Sequence, residues 1–370
     1  MTSISTYFDE LNIPGQQRTT KFGFSEDKSF PLALKTKVTW SPTLDECILA
    51  LRDLSKSGEL FTQIRKHGGA VLIRGIPIKT ADDYSRVAHA FGFDPHEEVG
   101  RPPIRTVLAP NVKTANEGPP ELPIWPHNEY GWSTINPAWL TFSALKVPKS
   151  GGVTPIISSI GLANRLKTQL PEFYERLLKK GVRYLYRYGR ENIVSTTGSS
   201  VFAAYGQNVK ANDDEATIRK KIEDEDGSLS VTHVVPIIRK HTATGLTIWF
   251  GNLTSAYGRS RHHGATLPPY RGDDGSYHPP PEYGDGTIIA NEDLEMALDI
   301  AEKMQVDVQW QVGDVVLLDN YAVMHSRRPW SGDRTVLAAL WDQKGRIGDF
   351  PEGTRIIDPR GGEKLKPQTP

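Results

Sequence analysis

The stretch "GDVVLLDNYAVMHSRRPWSGDRTVLAALW", residues 313 to 341, contains two apolar runs around a polar turn. Short apolar runs bounded by glycine and other turn residues are typical of buried β-strands. Asp314 begins a strand that leads to Asn320 and then to His325 at the edge of the turn. Arg334 starts the returning strand. Because sheet register brings distant residues side by side, a histidine and an arginine on antiparallel neighbours can face one cavity.

A second stretch, "WPHNEYGW" (residues 125 to 132), places His127 and Glu129 one residue apart among aromatic residues. In an extended segment both side chains point to the same face, since successive residues alternate sides. Such a pair is compatible with a surface ion pair, a buried hydrogen-bonded pair, or two thirds of a metal site. The triplet alone does not distinguish these interpretations.

Two histidines and one carboxylate on one face of a metal leave positions open, an arrangement typical of non-heme Fe(II) oxygenases. A 2-oxo acid that chelates such a metal presents its far carboxylate to the protein, and arginine's planar fork binds carboxylates in a bidentate way. His127, Glu129, His325 and Arg334 therefore form a coherent set. Taken singly, His325 also fits a hydrogen-bonded core histidine, and Arg334 fits a surface ion pair.

The composition restricts the class of protein. The chain has 370 residues, 38% hydrophobic and 24% charged, which suits a globular protein with a sizeable core. Lysine plus arginine and aspartate plus glutamate both total 44, so the net charge gives no reason to expect a nucleic-acid or membrane partner. The single cysteine, Cys47, excludes an internal disulfide framework and a cysteine-rich zinc site, and we expect it to be a buried small hydrophobe.

No apolar stretch approaches the roughly 20 residues that span a bilayer. The first residues, "MTSISTYFDELNIPG", lack a basic region followed by an apolar one. We therefore expect a cytoplasmic protein. The sequence predicts no oligomeric state.

The chain is predicted to contain an N-terminal arm (1–42), a single domain (43–345) and a C-terminal tail (346–370). Many short strands with helices between them favour an α+β fold with a mainly β core, either a barrel or a double-sheet jelly roll. The segment at about 258–286 is rich in proline, glycine, histidine and tyrosine. Long loops of this kind are often active-site lids, and we expect a lid here; a surface insertion is the alternative.

The sequence also bears on two helices and on a second metal site. One helix is expected at roughly 160–180, and the charged segment 213–227 is expected to be a solvated helix. The neighbouring His262 and His263 suggest a second metal site, but adjacent residues of a strand face opposite ways, which argues against it.

Five stretches carry a resemblance to a known family. They are "HGGAVLIRGIPIKTADDYSRVAHAFGF" (67–93), "TANEGPPELPIWPHNEYGW" (114–132), "KVPKSGGVTPIISS" (146–159), "WQVGDVVLLDNYAVMHSRRPW" (310–330) and "GDRTVLAALWD" (332–342). In this order they resemble the taurine dioxygenase/clavaminate synthase (TauD/TfdA) family of Fe(II)- and 2-oxoglutarate-dependent oxygenases, in particular the clavaminate-synthase-like proteins. The resemblance implies a double-stranded β-helix (jelly roll, clavaminate synthase-like) decorated with helices.

The resemblance also implies roles for individual residues. It makes His127, Glu129 and His325 the Fe(II) ligands, and Arg334 and Thr154 the residues that bind the co-substrate 2-oxoglutarate. Such enzymes use O2 to oxidise a substrate by hydroxylation, desaturation or cyclisation, and release succinate and CO2. Glutamate at the carboxylate position is the clavaminate-type variant. It argues against a related halogenase, which lacks this carboxylate.

The resemblance further implies a small polar metabolite as substrate, such as an amino-acid derivative, and a role in secondary metabolism. The candidate substrate residues lie close to the metal motifs in the sequence: Asn116, Trp125, Asn128, Tyr130, Trp132 and Arg328. Two alternatives are a non-oxidative metal-dependent hydrolase or isomerase on a cupin-like barrel, and a catalytically silent binding protein that keeps the fold.

Overall fold

The computed structural model describes residues 3–98, 105–115, 118–188, 214 and 229–343. Within them the α-helices are α1 (Leu44–Lys56), α2 (Glu59–Lys66), α3 (Ala81–His89), α4 (Ser159–Gln169), α5 (Pro171–Lys180), α6 (Leu253–His262) and α7 (Asn291–Lys303). Short 3-10 helices cover Ile4–Thr6 and Thr19–Phe22.

The strands are short and follow one another through the whole described chain. They are β1 (Phe8–Glu10), β2 (Gln17–Arg18), β3 (Ser29–Phe30), β4 (Leu32–Thr36), β5 (Ala70–Arg74), β6 (Asp94–Pro95), β7 (Val107–Ala109), β8 (Val112–Thr114), β9 (Ile124–His127), β10 (Trp139–Lys146), β11 (Ser150–Gly151), β12 (Thr154–Ser158), β13 (Val182–Tyr188), β14 (Leu229–Val235), β15 (Ile238–Lys240), β16 (Thr247–Trp249), β17 (Glu282–Tyr283), β18 (Val306–Val308), β19 (Val315–Asp319), β20 (Val323–Arg327), β21 (Trp330–Ser331) and β22 (Thr335–Asp342).

Two sheets form the core of the molecule. The larger has the strand order β1-β4-β5-β19-β10-β22-β8-β7, with β6 also paired to β22; the smaller has the order β18-β12-β20-β9. They face each other near Phe142 of β10, whose ring centroid is 5.3 Å from that of His325 on β20. This is the predicted α+β fold with a mainly β core, a double-stranded β-helix decorated with helices.

The centre of the larger sheet comes from the apolar runs of the sequence. All five residues of β19 are buried, and β19 pairs with β10 on one side and β5 on the other. Residues of the predicted N-terminal arm add β4, which lies parallel to β5. The predicted boundaries at residues 42 and 345 stay predictions.

The helices begin where local side chains satisfy their first N–H groups. Thr43 and Glu46 form a capping box at the start of α1, and Thr80 and Asp83 form another at α3. The prediction of a single helix at 160–180 is wrong. The chain forms α4 and α5 instead, because Pro171 lacks an N–H group and begins a new helix.

The polar turn in the stretch 313–341 moves the chain from one sheet to the other. The prediction placed His325 at the edge of this turn, beside the strand that follows Arg334. In the structure His325 lies inside β20 of the smaller sheet, whereas Arg334 immediately precedes β22 of the larger sheet. The two residues are therefore on facing sheets rather than on neighbouring strands, since β20 pairs with β9 and β12.

The segment 258–286 is more ordered than the sequence suggested. Its first residues, up to His262, belong to α6. A bridge between Arg271 and Tyr277 then closes a small hairpin, and β17 pairs with β13. The lid role of the segment stays a prediction.

The charged helix expected at 213–227 lies outside the described residues, apart from residue 214. No helix in the described ranges combines the length and the apolar character needed to cross a membrane. The cytoplasmic location stays a prediction.

Candidate metal centre and co-substrate site

Three predicted metal ligands converge at the edge of the smaller sheet. His127 ends β9 and His325 lies in β20, and the two are direct antiparallel partners. Oε2 of Glu129 is 3.6 Å from Nε2 of His127 and 3.5 Å from Nε2 of His325. One donor atom of each residue lies within 4.8 Å of the other two. Sheet register thus joins residues almost two hundred positions apart into one donor set that fits Fe(II).

A buried arginine that the sequence analysis missed holds the other side of the carboxylate. Nη2 of Arg105 donates to Oε1 of Glu129 over 2.7 Å. Burial alone would raise the pKa of Glu129, but the charge of Arg105 brings this pKa below its ordinary value. The carboxylate is therefore ionised, with Oε2 directed to the histidines.

Both histidines present Nε2 to the centre. Nδ1 of His127 donates to the backbone oxygen of Trp125 at 2.8 Å, which leaves the lone pair of Nε2 available to a metal. Burial, followed by the nearby His127, lowers the pKa of His325 to about 3. At neutral pH the imidazole of His325 is uncharged, the form in which histidine binds metals.

The backbone of Glu129 is fixed by Asn320, which lies in the turn between the two sheets. Oδ1 of Asn320 accepts from the N–H of Glu129 at 2.8 Å, and Nδ2 donates to the carbonyl of Glu129 at 2.9 Å. These paired bonds orient the carboxylate from outside the metal centre. The next residue, Tyr130, has φ +54°, a left-handed conformation that is uncommon for a non-glycine residue.

Arg334 and Thr154 line the same cavity as the three candidate ligands. Nε of Arg334 donates to the backbone oxygen of Gly152 at 3.0 Å, and its guanidinium lies over the Trp330 ring at 5.1 Å. Burial lowers the pKa of Arg334 to about 10, so the group is still cationic at neutral pH. Among the described residues no carboxylate forms an ion pair with it. A half-buried cation of this kind fits a bound anion, such as a carboxylate of 2-oxoglutarate.

Two neighbours support this part of the cavity. Nε1 of Trp310 donates to Oγ1 of Thr154 at 3.0 Å, which sets the orientation of that hydroxyl. Arg327 lies over Trp330 at 4.6 Å and donates to the backbone oxygens of Pro119 and Leu122. Arg327 thus clamps the segment before β9 to the strand that carries His325.

Only part of the predicted substrate set reaches the cavity. Trp125, Tyr130 and Trp132 line it. Asn116 lies outside the described residues. Arg328 does not line the cavity: it is exposed, with Nη2 4.0 Å from Oδ1 of Asp307.

The prediction that Asn128 contacts the substrate also needs correction. This residue is fully buried and lies away from the cavity. Nδ2 donates to the carbonyl of Asn320 at 2.6 Å, and Oδ1 accepts from the N–H of Gly251 at 3.0 Å. The physical reason is the alternation of side chains. With His127 and Glu129 directed to the cavity, the residue between them points into the core.

The remaining polar residues of the cavity were missed by sequence reasoning. Besides Arg105 they include Asn252, Ser255 and Arg259, of which the last two lie on α6. Their spacing of four residues puts them on one face of the helix, but no local pattern shows that this face meets the metal centre. The packing of α6 against β9 decides it.

Comparisons with known proteins agree with this geometry. The family model described as "Taurine catabolism dioxygenase TauD, TfdA family" matches residues 45–341. A clavaminate synthase-like protein of Arabidopsis thaliana is 34% identical over 281 residues, which are 74% of this chain and 81% of that protein. The dapdiamide synthesis protein DdaC of Enterobacter agglomerans is 25% identical over 286 residues, 76% of this chain and 84% of that protein.

Solved structures with lower sequence identity were also found. A taurine dioxygenase from Burkholderia xenovorans has a TM-score of 0.46 and 14% identity, and covers 96% of both chains. The PvcB protein of Pseudomonas aeruginosa has a TM-score of 0.48 and 15% identity, and covers 95% of this chain and 96% of that one.

The fold and the donor set define a 2-oxoglutarate-dependent dioxygenase that uses Fe(II). The chain belongs to the taurine catabolism dioxygenase TauD/TfdA family, whose model spans most of its length. Its similarity to a clavaminate synthase-like protein confirms the resemblance drawn from the sequence.

Proposed function

We propose that His127, Glu129 and His325 hold the Fe(II) of this dioxygenase, and that Arg334 and Thr154 bind the distal carboxylate of 2-oxoglutarate. The observation that carries the proposal is the convergence of Oε2 of Glu129 with the two Nε2 atoms, at 3.6 and 3.5 Å. Three ligands on one side of the metal leave positions open for the co-substrate and O2.

The bound iron and co-substrate supply the oxidation of a substrate C–H bond, with release of succinate and CO2. The protein's own residues position the reactants. Arg334 binds one end of 2-oxoglutarate, and the hydroxyl of Thr154, held by Trp310, provides a second polar contact. The aromatic residues Trp125 and Trp132 cover the cavity and keep water away from the reacting groups.

We further propose that the substrate is a small polar metabolite with a carboxylate or amine, such as an amino-acid derivative. The aromatic residues Trp125, Tyr130 and Trp132 line the same cavity as the polar side chains of Asn252 and Arg259. A few placed polar groups in an aromatic cleft fix the orientation of a compact ligand. The name of the DdaC relative, a dapdiamide synthesis protein, supports a role in secondary metabolism.

The alternative of a non-oxidative metal enzyme makes a different prediction. A hydrolase or isomerase on this fold would turn over without O2 and would have no use for a cavity-lining arginine at the position of Arg334. Anaerobic addition of Fe(II) and 2-oxoglutarate distinguishes the two. We expect the weak visible charge-transfer band of a chelated 2-oxo acid.

The ligand assignment is tested with Glu129→Ala, which should abolish both this band and iron-dependent succinate production. The matched control is Glu97→Ala, another glutamate of the described chain that is absent from the cavity lining. Retention of the band and of succinate production in Glu129→Ala would refute the assignment.

The substrate class is tested by a screen of amino acids, dipeptides and sulfonates. Succinate release above the substrate-free background is the readout. We expect stimulation by a small carboxylate- or amine-bearing compound. Stimulation by a protein or nucleic acid alone would contradict the proposed substrate class.

A further inference from the structure

A second group of metal-ligating side chains lies at the end of α6, outside the candidate active site. His263, Asp274 and His278 each offer one donor atom, and these atoms lie within 4.8 Å of one another. Oδ2 of Asp274 is 2.9 Å from Nε2 of His278 and 4.0 Å from Nδ1 of His263. Nδ1 of His263 is also 2.7 Å from Oδ1 of Asp273. The two imidazole rings are buried and stack at 4.4 Å.

The backbone around this group holds the donor atoms in place. The N–H of Asp273 donates to the carbonyl of His263 at 3.1 Å, and the N–H of His278 donates to the carbonyl of Tyr270 at 2.9 Å. A Cβ on Gly272 would lie 2.7 Å from Cβ of His263 and 2.8 Å from Cδ2 of His278. A side chain at this position would clash with both histidines, so the backbone needs glycine here. The fold of the hairpin therefore holds His263 and His278 close together.

We propose that His263, Asp274 and His278 bind a divalent transition metal of the zinc class, separate from the candidate catalytic iron. A tetrahedral zinc site with bonds of about 2.0–2.2 Å places its donor atoms roughly 3.3–3.6 Å apart. The separations of 2.9 Å between Asp274 and His278 and of 4.0 Å between Asp274 and His263 lie on either side of this range, so small side-chain shifts bring these donors to it. One carboxylate and two imidazoles are donor types that zinc accepts.

The sequence analysis argued against a metal site formed by His262 and His263 together, and the structure separates these two side chains. His262 leaves the cluster and contacts Trp125, with ring centroids 5.6 Å apart, whereas His263 joins His278. The partners of His263 come from the hairpin ten and more residues later, which no local spacing in the sequence indicates.

The cluster lies at the end of α6, and this position indicates a structural function for the proposed metal. Arg259 on the last turns of α6 lines the catalytic cavity, as does Trp125, which His262 contacts. A metal at His263 would tie the end of this helix to the following hairpin. Structural metals stabilise segments that make few apolar contacts of their own.

The test uses the full chain with His127→Ala and His325→Ala, which removes the catalytic donor set. After treatment with a chelator, the protein is titrated with Zn(II) and, separately, with Co(II). We expect one metal per chain, the intense visible bands of tetrahedral Co(II), and a rise in Tm of about 4 °C at a Zn(II) concentration a hundredfold above Kd. Because the catalytic ligands are absent, the result is independent of the proposed active site.

Further variants in the same background locate the site. Asp274→Asn keeps the shape of the side chain, and His278→Ala removes a donor; both should abolish stoichiometric binding and the Co(II) bands. His262→Ala, which changes a neighbouring histidine outside the donor set, should keep both. The proposal is overturned if the parent variant binds no metal, if Co(II) shows an octahedral spectrum, or if Asp274→Asn binds metal unchanged.

Discussion

Arg105 and Glu129 form a buried ion pair, with Nη2 of the arginine 2.7 Å from Oε1 of the glutamate. The other oxygen of the same carboxylate faces His127 and His325. The arginine also lies 3.4 Å from Glu98, so it connects the candidate metal centre to a second buried carboxylate. One carboxylate oxygen thus accepts from Arg105, and the other is directed to the candidate metal centre.

Replacing this arginine should weaken iron binding. In Arg105→Gln the carboxylate loses the charge that orients it and lowers its pKa, and loss of such an outer partner typically reduces metal affinity about 10–100-fold. Iron titration of the metal-free protein measures the effect. Arg328→Gln, at an exposed position, is the control and should bind iron normally; equal affinities in the two variants would exclude the orienting role of Arg105.

Arg334→Ala should mainly raise the requirement for 2-oxoglutarate. A desolvated charge pair at a binding site contributes about 2–5 kcal/mol, so the apparent affinity should fall by at least about thirtyfold. The measurement is succinate production as a function of 2-oxoglutarate concentration, with Arg328→Ala as the control. An unchanged 2-oxoglutarate dependence in Arg334→Ala would remove the residue from the co-substrate site.

Gly152→Ala should produce a milder form of the same defect. A Cβ at this position would lie 2.6 Å from Cγ of Pro148 and 3.0 Å from Cδ of Arg334, and would displace the guanidinium. Gly92→Ala is a matched control, because Gly92 also has a positive φ (+81°) but has nothing within 4 Å of the added Cβ. Both variants should lose stability through backbone strain, whereas only Gly152→Ala should require more 2-oxoglutarate.

Asn128→Ala should destabilise the fold, because it leaves buried backbone groups of Asn320 and Gly251 without partners. Each buried backbone group left without a hydrogen-bond partner costs about 1–3 kcal/mol, so we expect a loss of roughly 3 kcal/mol in the free energy of unfolding. Denaturant unfolding measures it. Asn136→Ala, at a half-buried position, should cost no more than about 1 kcal/mol. Equal stability of Asn128→Ala and the unmodified chain would contradict the core position.

Cys47 should be unreactive in the native protein. Burial, followed by the charge of Glu46, raises the pKa of its thiol to about 11, and the side chain is fully buried. At pH 8 only about one thiol in a thousand is ionised, and the thiolate is the reactive form. Mass spectrometry after alkylation should show modification only in denaturant. Stoichiometric labelling of the native protein would show that the buried environment is wrong.

Much of the candidate site could be predicted because its information is local. His127 and Glu129 share a face through the pleat of an extended segment, and the apolar runs around His325 define buried strands. Because neighbouring residues of an extended segment point to opposite faces, the same reasoning also predicts that Asn128 points into the core. Capping pairs such as Thr43 and Glu46 are local as well, since the two residues are three positions apart.

By itself, the sequence determined the kinds of donor atom, their order along the chain, the β-rich core and the family. Only the tertiary structure decided how the distant groups meet and which further residues join them. Sheet register sets His325 opposite His127, the packing of α6 brings Arg259 to the cavity, and the ion pair of Arg105 with Glu129 joins segments with no shared motif. The physical reason is that strand pairing and helix packing are set by the burial of the whole core, which no single stretch of sequence contains.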